Sequence, residues 1–163
     1  MKAVVVYESL WGNTAAVARA VAEGIGPGAV ALSTGEATGA IIASADLVVA
    51  GAPLLGFNLP TEDIRTSIAK NPAAPAPDLS HPSMRSWLES LPQGAGRCAG
   101  FETRIWWSPG SSAKRISEGL RSKGFLAAGS DEKFVVTGKY GPLKEGEIER
   151  ARQWGATLAD SLA

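Results

Sequence analysis

The chain has 163 residues, 45% of them hydrophobic and 20% charged, which is typical of one folded domain and unlike a disordered chain. Its formal net charge is +0, so no basic excess points to nucleic acid or to an anionic membrane. No apolar run approaches the roughly 20 residues that span a bilayer. The lone Cys98 excludes an internal disulfide and suits a reducing compartment, and no cleavable signal pattern precedes the first strand. We therefore expect a single cytoplasmic domain over residues 1–163.

Predicted strands and helices alternate along the chain. Apolar runs predict strands at 3–7, 29–33, 47–51 and 97–105, and an interrupted edge strand at 125–128 and 133–137. Helices are predicted at 15–25, 36–44, 61–70, 84–91 and 112–123, and a last one carries Ile148, Ala151, Gly155, Leu158 and Leu162 on one face. Continuous rather than alternating apolar strands are typical of a parallel sheet that is covered on both faces. The pattern predicts an α/β fold with three layers.

The most informative segment is the first loop, residues 9–14, which joins the first strand to the first helix. Ser9 and Thr14 offer hydroxyl groups, Gly12 lets the backbone approach an anion, and Asn13 suits the turn. A helix N-terminus adds unpaired N–H groups and a partial positive charge. We interpret the loop as a phosphate site, although Ser9 and Thr14 could also serve only as turn and cap residues. The order of residues is neither G-x-G-x-x-G nor a Walker loop, which argues against a dinucleotide site and a triphosphatase.

At this loop the chain resembles the flavodoxin family, whose phosphate loop reads Ser/Thr-x-Thr-Gly-Asn-Thr after the first strand. The sequence matches at Ser9, Gly12, Asn13 and Thr14 and departs at Trp11, where short-chain flavodoxins carry a hydroxyl. The resemblance extends over nearly the whole chain. It implies a flavodoxin-like αβα fold with a five-stranded parallel sheet in the order 2-1-3-4-5, and FMN at the carboxyl edge of the strands.

Two later loops support this interpretation. Large apolar and aromatic side chains follow the third and fourth strands, where they could enclose a flat ring. Trp106 and Trp107 could instead pack in the core or against a second subunit, and packing is an equally good explanation for Leu54, Leu55 and Phe57. By resemblance these loops hold the isoalloxazine of FMN, and Gly56 supplies the peptide that faces flavin N5. The predicted cofactor-binding residues are Ser9, Leu10, Trp11, Gly12, Asn13, Thr14, Pro53, Leu54, Leu55, Gly56, Phe57, Thr103, Arg104, Trp106 and Trp107.

The predicted function is that of an FMN-binding redox protein. A hydrophobic ring site disfavours the anionic reduced flavin, so we expect a low potential. Flavodoxins that act as electron carriers are typically very acidic, whereas this chain is neutral, so an FMN-dependent oxidoreductase stands beside the carrier role. The partner would be a redox protein or a small-molecule electron acceptor, and the protein a monomer or small homo-oligomer. The sequence leaves the catalytic residues unknown. No metal site is predicted, because His81 stands alone in a Pro-rich segment.

Two other classes of function stay open. In the first, Trp11 fills the phosphate site and the fold has become a protein-interaction module without FMN. In the second, the chain is a phosphorylated receiver domain, which shares the 2-1-3-4-5 topology. The receiver class needs an aspartate at the end of the third strand, where this chain has Gly51-Ala52-Pro53, so the sequence disfavours it.

Overall fold

A computed structural model describes residues 1–163 as alternating strands and helices. The strands are β1 (Ala3–Tyr7), β2 (Ala29–Ser33), β3 (Leu47–Pro53), β4 (Arg97–Arg104), β5 (Leu126–Ala127) and β6 (Glu132–Val135). The helices are α1 (Asn13–Ile25), α2 (Gly39–Ala43), α3 (Glu62–Ala69), α4 (Met84–Ser90), α5 (Ser112–Ser122) and α6 (Glu147–Asp160). None of the helices is both long and apolar enough to cross a bilayer.

All strands run parallel in one sheet with the order β2-β1-β3-β4-β5. The fifth position holds two short segments, because β5 pairs with the start of β4 and β6 pairs with its end. The predicted fold class and strand order are therefore confirmed, and so is the interruption of the edge strand. The crossover from β1 to β2 on one side and to β3 on the other places the switch point of the sheet at the end of β1.

The two faces of the sheet bury separate hydrophobic clusters. Val4 and Val6 of β1 join one cluster, which α4 and α5 cover with residues such as Trp87 and Ile116. Ala3 and Val5, which point to the opposite face, join a second cluster with α1 and α6. Burial on both faces explains why β1 and β3 are continuous apolar runs, as expected for a parallel sheet between helices.

Capping residues set several helix starts, and two of these differ from the prediction. Thr61 accepts a hydrogen bond from the N–H of Ile64 and caps α3, as the sequence indicates. The second helix begins at Gly39 rather than residue 36, because Thr38 caps it and the Glu36 carboxylate accepts from the N–H of Ser33. The first helix begins at Asn13 rather than residue 15, so Asn13 and Thr14 belong to its first turn.

The parallel sheet brings four connections to its carboxyl edge. They are the first loop (9–14) after β1, the second loop (54–58) after β3, the third loop (105–110) after β4 and the fourth loop (136–143) after β6. Because neighbouring parallel strands end side by side, side chains from distant parts of the chain meet there. This edge is where we describe the candidate site.

Candidate functional site

The first loop makes a tight turn into α1. Gly12 has φ +92°, a left-handed conformation that side chains other than glycine rarely adopt, and it occupies the cap position of the helix. The Gly12 N–H donates to the Ser9 hydroxyl over 3.1 Å, which closes the turn. Ser9 and Thr14 are buried at 5% and 2% exposure. The turn leads directly from the end of β1 into the start of α1.

Most backbone donors of this turn, other than those of Ser9 and Gly12, have no partner within the protein. No protein acceptor meets the N–H groups of Leu10, Trp11, Asn13, Thr14 and Ala15. Thr14 and Ala15 lie in a buried part of the chain, where an unpaired donor is costly. Each favourable contact of an anion with a helix N-terminus contributes about 0.3–1 kcal/mol when exposed and about 2 kcal/mol when partly buried. The turn therefore fits a phosphate group.

The ends of three strands meet beside this turn. The hydroxyls of Thr14 and Thr103 share a hydrogen bond of 2.8 Å, and the Leu54 N–H donates to the Thr103 carbonyl over 2.9 Å. A cavity lies beside these contacts, between the first three loops and the fourth loop. The predicted residues that line it are Ser9, Leu10, Trp11, Asn13, Thr14, Pro53, Leu54, Leu55, Thr103 and Arg104. The cavity thus joins residues from all three predicted loops.

Trp11, the residue that departs from the flavodoxin motif, is held from two sides. Its indole N–H donates to the Pro75 carbonyl over 3.1 Å, which ties the first loop to the Pro-rich segment. Its ring meets that of Tyr140 edge-on at 4.8 Å between centroids. The Asn13 side-chain amide donates to the Tyr140 carbonyl over 3.1 Å. The indole is therefore fixed between the Pro-rich segment and the fourth loop. It does not cover the backbone N–H groups of residues 13–15, which have no partner within the protein.

The second loop is a two-residue turn. Leu55 and Asn58 exchange backbone hydrogen bonds of 3.0 and 3.2 Å around Gly56 and Phe57. Both central residues have positive φ, +58° and +65°, which defines a turn of type I′. For a bulky residue such as Phe57 this conformation costs about 1–3 kcal/mol, and strained residues of this kind cluster at active sites and ligand-binding loops. Gly56 and Phe57 do not line the cavity, and the Phe57 side chain is 61% exposed.

The third loop is anchored by a buried ion pair. The Arg104 guanidinium lies 3.0 Å from a Glu102 carboxylate oxygen and donates to the Gly110 carbonyl over 3.0 Å. The other oxygen of Glu102 accepts from the Ser111 hydroxyl and the Ala113 N–H at the start of α5. Arg104 lines the cavity, but its charge is compensated by Glu102, which is fully buried.

The aromatic residues of the third loop face outward. Trp106 and Trp107 are 76% and 62% exposed and do not line the cavity. The loop touches the second loop at Gly110, where any side chain would collide with the Phe57 carbonyl oxygen. The structure therefore brings Phe57, Trp106 and Trp107 to one exposed rim beside the cavity rather than into it.

A second buried ion pair lies beneath the first loop. Glu8, fully buried, accepts from the Met84 N–H over 3.0 Å, and Arg65 approaches its other oxygen at 3.5 Å. Burial raises the pKa of Glu8 to about 7, although the Met84 N–H and Arg65 pull it back. Arg65 also donates to the carbonyl of His81 over 2.7 Å. This pair fastens the Pro-rich segment under the loop.

Sequence reasoning missed several residues of this edge. His81 Nε2 accepts the Ser9 N–H over 3.1 Å, so the ring is neutral there, and burial lowers its pKa. The fourth loop contributes Lys139 to the cavity and Tyr140 to the clamp on Trp11. The rule that loops at one edge of a parallel sheet meet could have found the fourth loop. No local signal marks His81, because its partner is 72 residues away.

The chain has a flavodoxin-like fold. It superposes on a flavodoxin from the domain Archaea with a TM-score of 0.69 and 19% identity, covering 99% of each chain. Flavodoxin 1 from Bacillus cereus gives a TM-score of 0.69 and 18% identity over 100% of both chains. A flavodiiron core from Synechocystis gives 0.61 and 20% over 99% of this chain and 36% of that one. Neither a protein-family model nor a curated protein sequence matches the chain.

Proposed function

We propose that this protein binds FMN at the carboxyl edge of its sheet and acts as a redox protein. One observation carries the proposal: the unpartnered N–H groups at the buried start of α1, beside a cavity at the switch point of a flavodoxin-like sheet. The donors are neutral and fixed, which suits an anionic phosphate. The flavin, when bound, would supply the electron-transfer chemistry.

The residues divide into two groups under this proposal. The first loop would hold the phosphate through the N–H groups of residues 13–15, and the hydrogen bond between Thr14 and Thr103 would fix the start of the helix. The second and third loops would hold the ring, with Leu54 and Leu55 in the cavity and the exposed aromatic rim beside it. That rim would leave the ring edge within reach of an electron donor or acceptor.

The placement of Trp11 argues against the alternative that the chain is an interaction module without FMN. If the indole took the place of the phosphate, the donors at the start of α1 should be covered by protein, whereas Trp11 donates to Pro75 and packs on Tyr140. A low potential, a redox protein or small molecule as partner and a cytoplasmic location stay predictions. The neutral net charge gives no steering toward a basic partner, which favours a small-molecule acceptor.

The test is a titration of the purified protein with FMN, riboflavin and FAD, followed by flavin fluorescence and visible absorbance. We expect FMN to bind at least about tenfold more tightly than riboflavin, because riboflavin lacks the phosphate and leaves the loop donors unpaired. Equal binding of FMN and riboflavin would remove the first loop from the site. Absence of binding by all three flavins would refute the redox function and favour the interaction module.

A further inference from the structure

The fourth loop brings a cation to the candidate site. Lys139 lines the same cavity as Ser9 and Thr14, although it follows them by more than a hundred residues. The loop is fastened to the first loop at its neighbour Tyr140, whose carbonyl accepts from the Asn13 amide over 3.1 Å. Lys139 is therefore presented to the cavity by a loop that is fixed at the start of α1.

The charges around the cavity leave Lys139 uncompensated. The cavity is lined by two cationic residues, Lys139 and Arg104, and by no aspartate or glutamate. Arg104 is paired with Glu102 at 3.0 Å, which cancels its charge. Lys139 forms no ion pair, and its ammonium group lies 5.8 Å from the centre of the Tyr140 ring. One positive charge therefore remains at the mouth of a cavity that is otherwise lined by neutral donors and apolar groups.

We propose that Lys139 is a binding residue for the phosphate of the flavin and adds to the preference for the phosphorylated ligand that the first loop provides. This inference rests on the proposed function. A phosphate monoester carries about −1.5 to −2 charges at neutral pH, whereas the amide donors of the first loop carry no net charge. Lys139 has a long flexible stem that lets an exposed ammonium reach an anion at the loop. It supplies the counter-charge that the backbone donors lack.

The test compares Lys139→Gln with Lys144→Gln, which removes the same charge from an exposed position just beyond the loop. FMN and riboflavin are titrated into each folded variant at low and high salt. We expect Lys139→Gln to weaken FMN binding about fivefold to tenfold at low salt, with a smaller effect at high salt. Riboflavin affinity should not change, Lys144→Gln should behave as the parent protein, and Lys139→Arg should restore most of the FMN affinity.

Two results would overturn the inference while leaving the proposed function intact. One is an unchanged FMN affinity in Lys139→Gln, and the other is an equal loss for FMN and riboflavin, which would mean a general disturbance of the site. If the parent protein bound no flavin, the proposed function would fail first and this inference with it. Thermal unfolding of the variants separates a misfolded protein from a lost contact, and Lys139→Arg supplies the test if Lys139→Gln does not fold.

Discussion

The two ends of the candidate site differ in how firmly they are held. Distant segments fasten the first loop, through His81 on the Ser9 N–H and through the Asp78 N–H on the Leu10 carbonyl at 2.8 Å. At the opposite end, large aromatic side chains are exposed. Phe57 lies on the strained turn of the second loop, and Trp106 and Trp107 lie on the third loop. A prearranged anion site beside an open aromatic rim suits a ligand that is anchored by its charged end and reacts at the other.

Each end rests on a buried carboxylate–arginine pair, and these pairs differ as well. Beneath the aromatic rim, Glu102 contacts Arg104 at 3.0 Å and also accepts from Ser111 and Ala113. Beneath the first loop, Glu8 and Arg65 are 3.5 Å apart, and Glu8 Oε2 and Arg65 Nε have no hydrogen-bond partner. The well-bonded pair fixes the third loop, whereas the looser pair makes the first loop sensitive to pH.

The largest effect should follow from breaking the well-bonded pair. Glu102→Gln leaves the buried Arg104 charge uncompensated, so we expect the free energy of unfolding to fall by about 3–5 kcal/mol. Urea denaturation measures it. The double variant Glu102→Gln with Arg104→Met should recover at least half of the loss, because no buried charge is left unpaired. A loss below about 1 kcal/mol in the single variant would show that the pair contributes little.

The pair of Glu8 and Arg65 should make the free energy of unfolding fall as the pH rises, which is the opposite of the effect of an ordinary ion-paired carboxylate. Since the pKa of Glu8 rises from 4.5 to about 7 on folding, its contribution is fully present below about pH 4.5 and is lost as the pH rises through about 7. The unfolding free energy should therefore lose up to about 3 kcal/mol across this window. Denaturation at several pH values, with Glu8→Gln as the comparison, measures it.

His81 must be separated from this effect. Burial lowers its pKa, so its contribution is lost as the pH falls, which is the opposite sign. The parent protein and the Glu8→Gln variant both contain His81. Its contribution to the unfolding free energy therefore cancels when the value of one is subtracted from that of the other. If that difference stays constant between pH 5 and 8, the buried Glu8 carboxyl does not titrate in this range.

An intermediate effect should come from the turn of the first loop. Alanine at Gly12 meets no neighbouring atom but must adopt φ +92°, which costs about 1–2 kcal/mol and opens the turn. FMN affinity should fall about tenfold and riboflavin affinity should hold. Gly146→Ala, at φ +87° and equally free of neighbours at the start of α6, should lose similar stability without losing FMN affinity. Equal affinities of the two variants would contradict the assignment of the turn.

The smallest effect on stability should come from the aromatic rim. Trp106→Ala and Trp107→Ala should change the unfolding free energy by less than about 0.5 kcal/mol, because both side chains are mostly exposed. Trp87→Ala, which removes a side chain that is 3% exposed, should cost about 3–5 kcal/mol. In flavin titrations the rim variants should weaken FMN and riboflavin by the same factor. Selective loss of FMN would move the tryptophans to the phosphate end.

The fold can be predicted well from the sequence because the strands are continuous apolar runs that are easy to recognise. Runs such as Val4-Val5-Val6 and Val48-Val49-Ala50 are apolar on both faces, and Thr61 marks a helix start in the usual way. The predicted starts of two helices were wrong because a turn precedes each of them. α2 begins only after its capping residue Thr38, and α1 begins directly after Gly12. Local rules thus recover the elements and the order of the sheet.

The candidate site is only partly visible in the sequence. The first three loops follow strong strands and can be found by position. The fourth loop follows the short strand β6, and its Gly- and Lys-containing sequence is typical of any surface turn. Its contact with Asn13 joins residues 127 positions apart, and no local pattern encodes such a contact. The exposure of Trp106 and Trp107 likewise depends on how the third loop is anchored, not on its composition.

The most direct test of the central claim is an amide proton–nitrogen NMR titration of the assigned protein with FMN and, separately, with inorganic phosphate. The account predicts that FMN shifts the amides of Leu10, Trp11, Asn13, Thr14 and Ala15 most strongly, together with those of the second and third loops. Inorganic phosphate should shift the first-loop group, with the neighbouring fourth loop at Lys139, and leave the second and third loops unmoved. Shifts from FMN that leave residues 10–15 unmoved would contradict the assignment of a phosphate site to the start of α1.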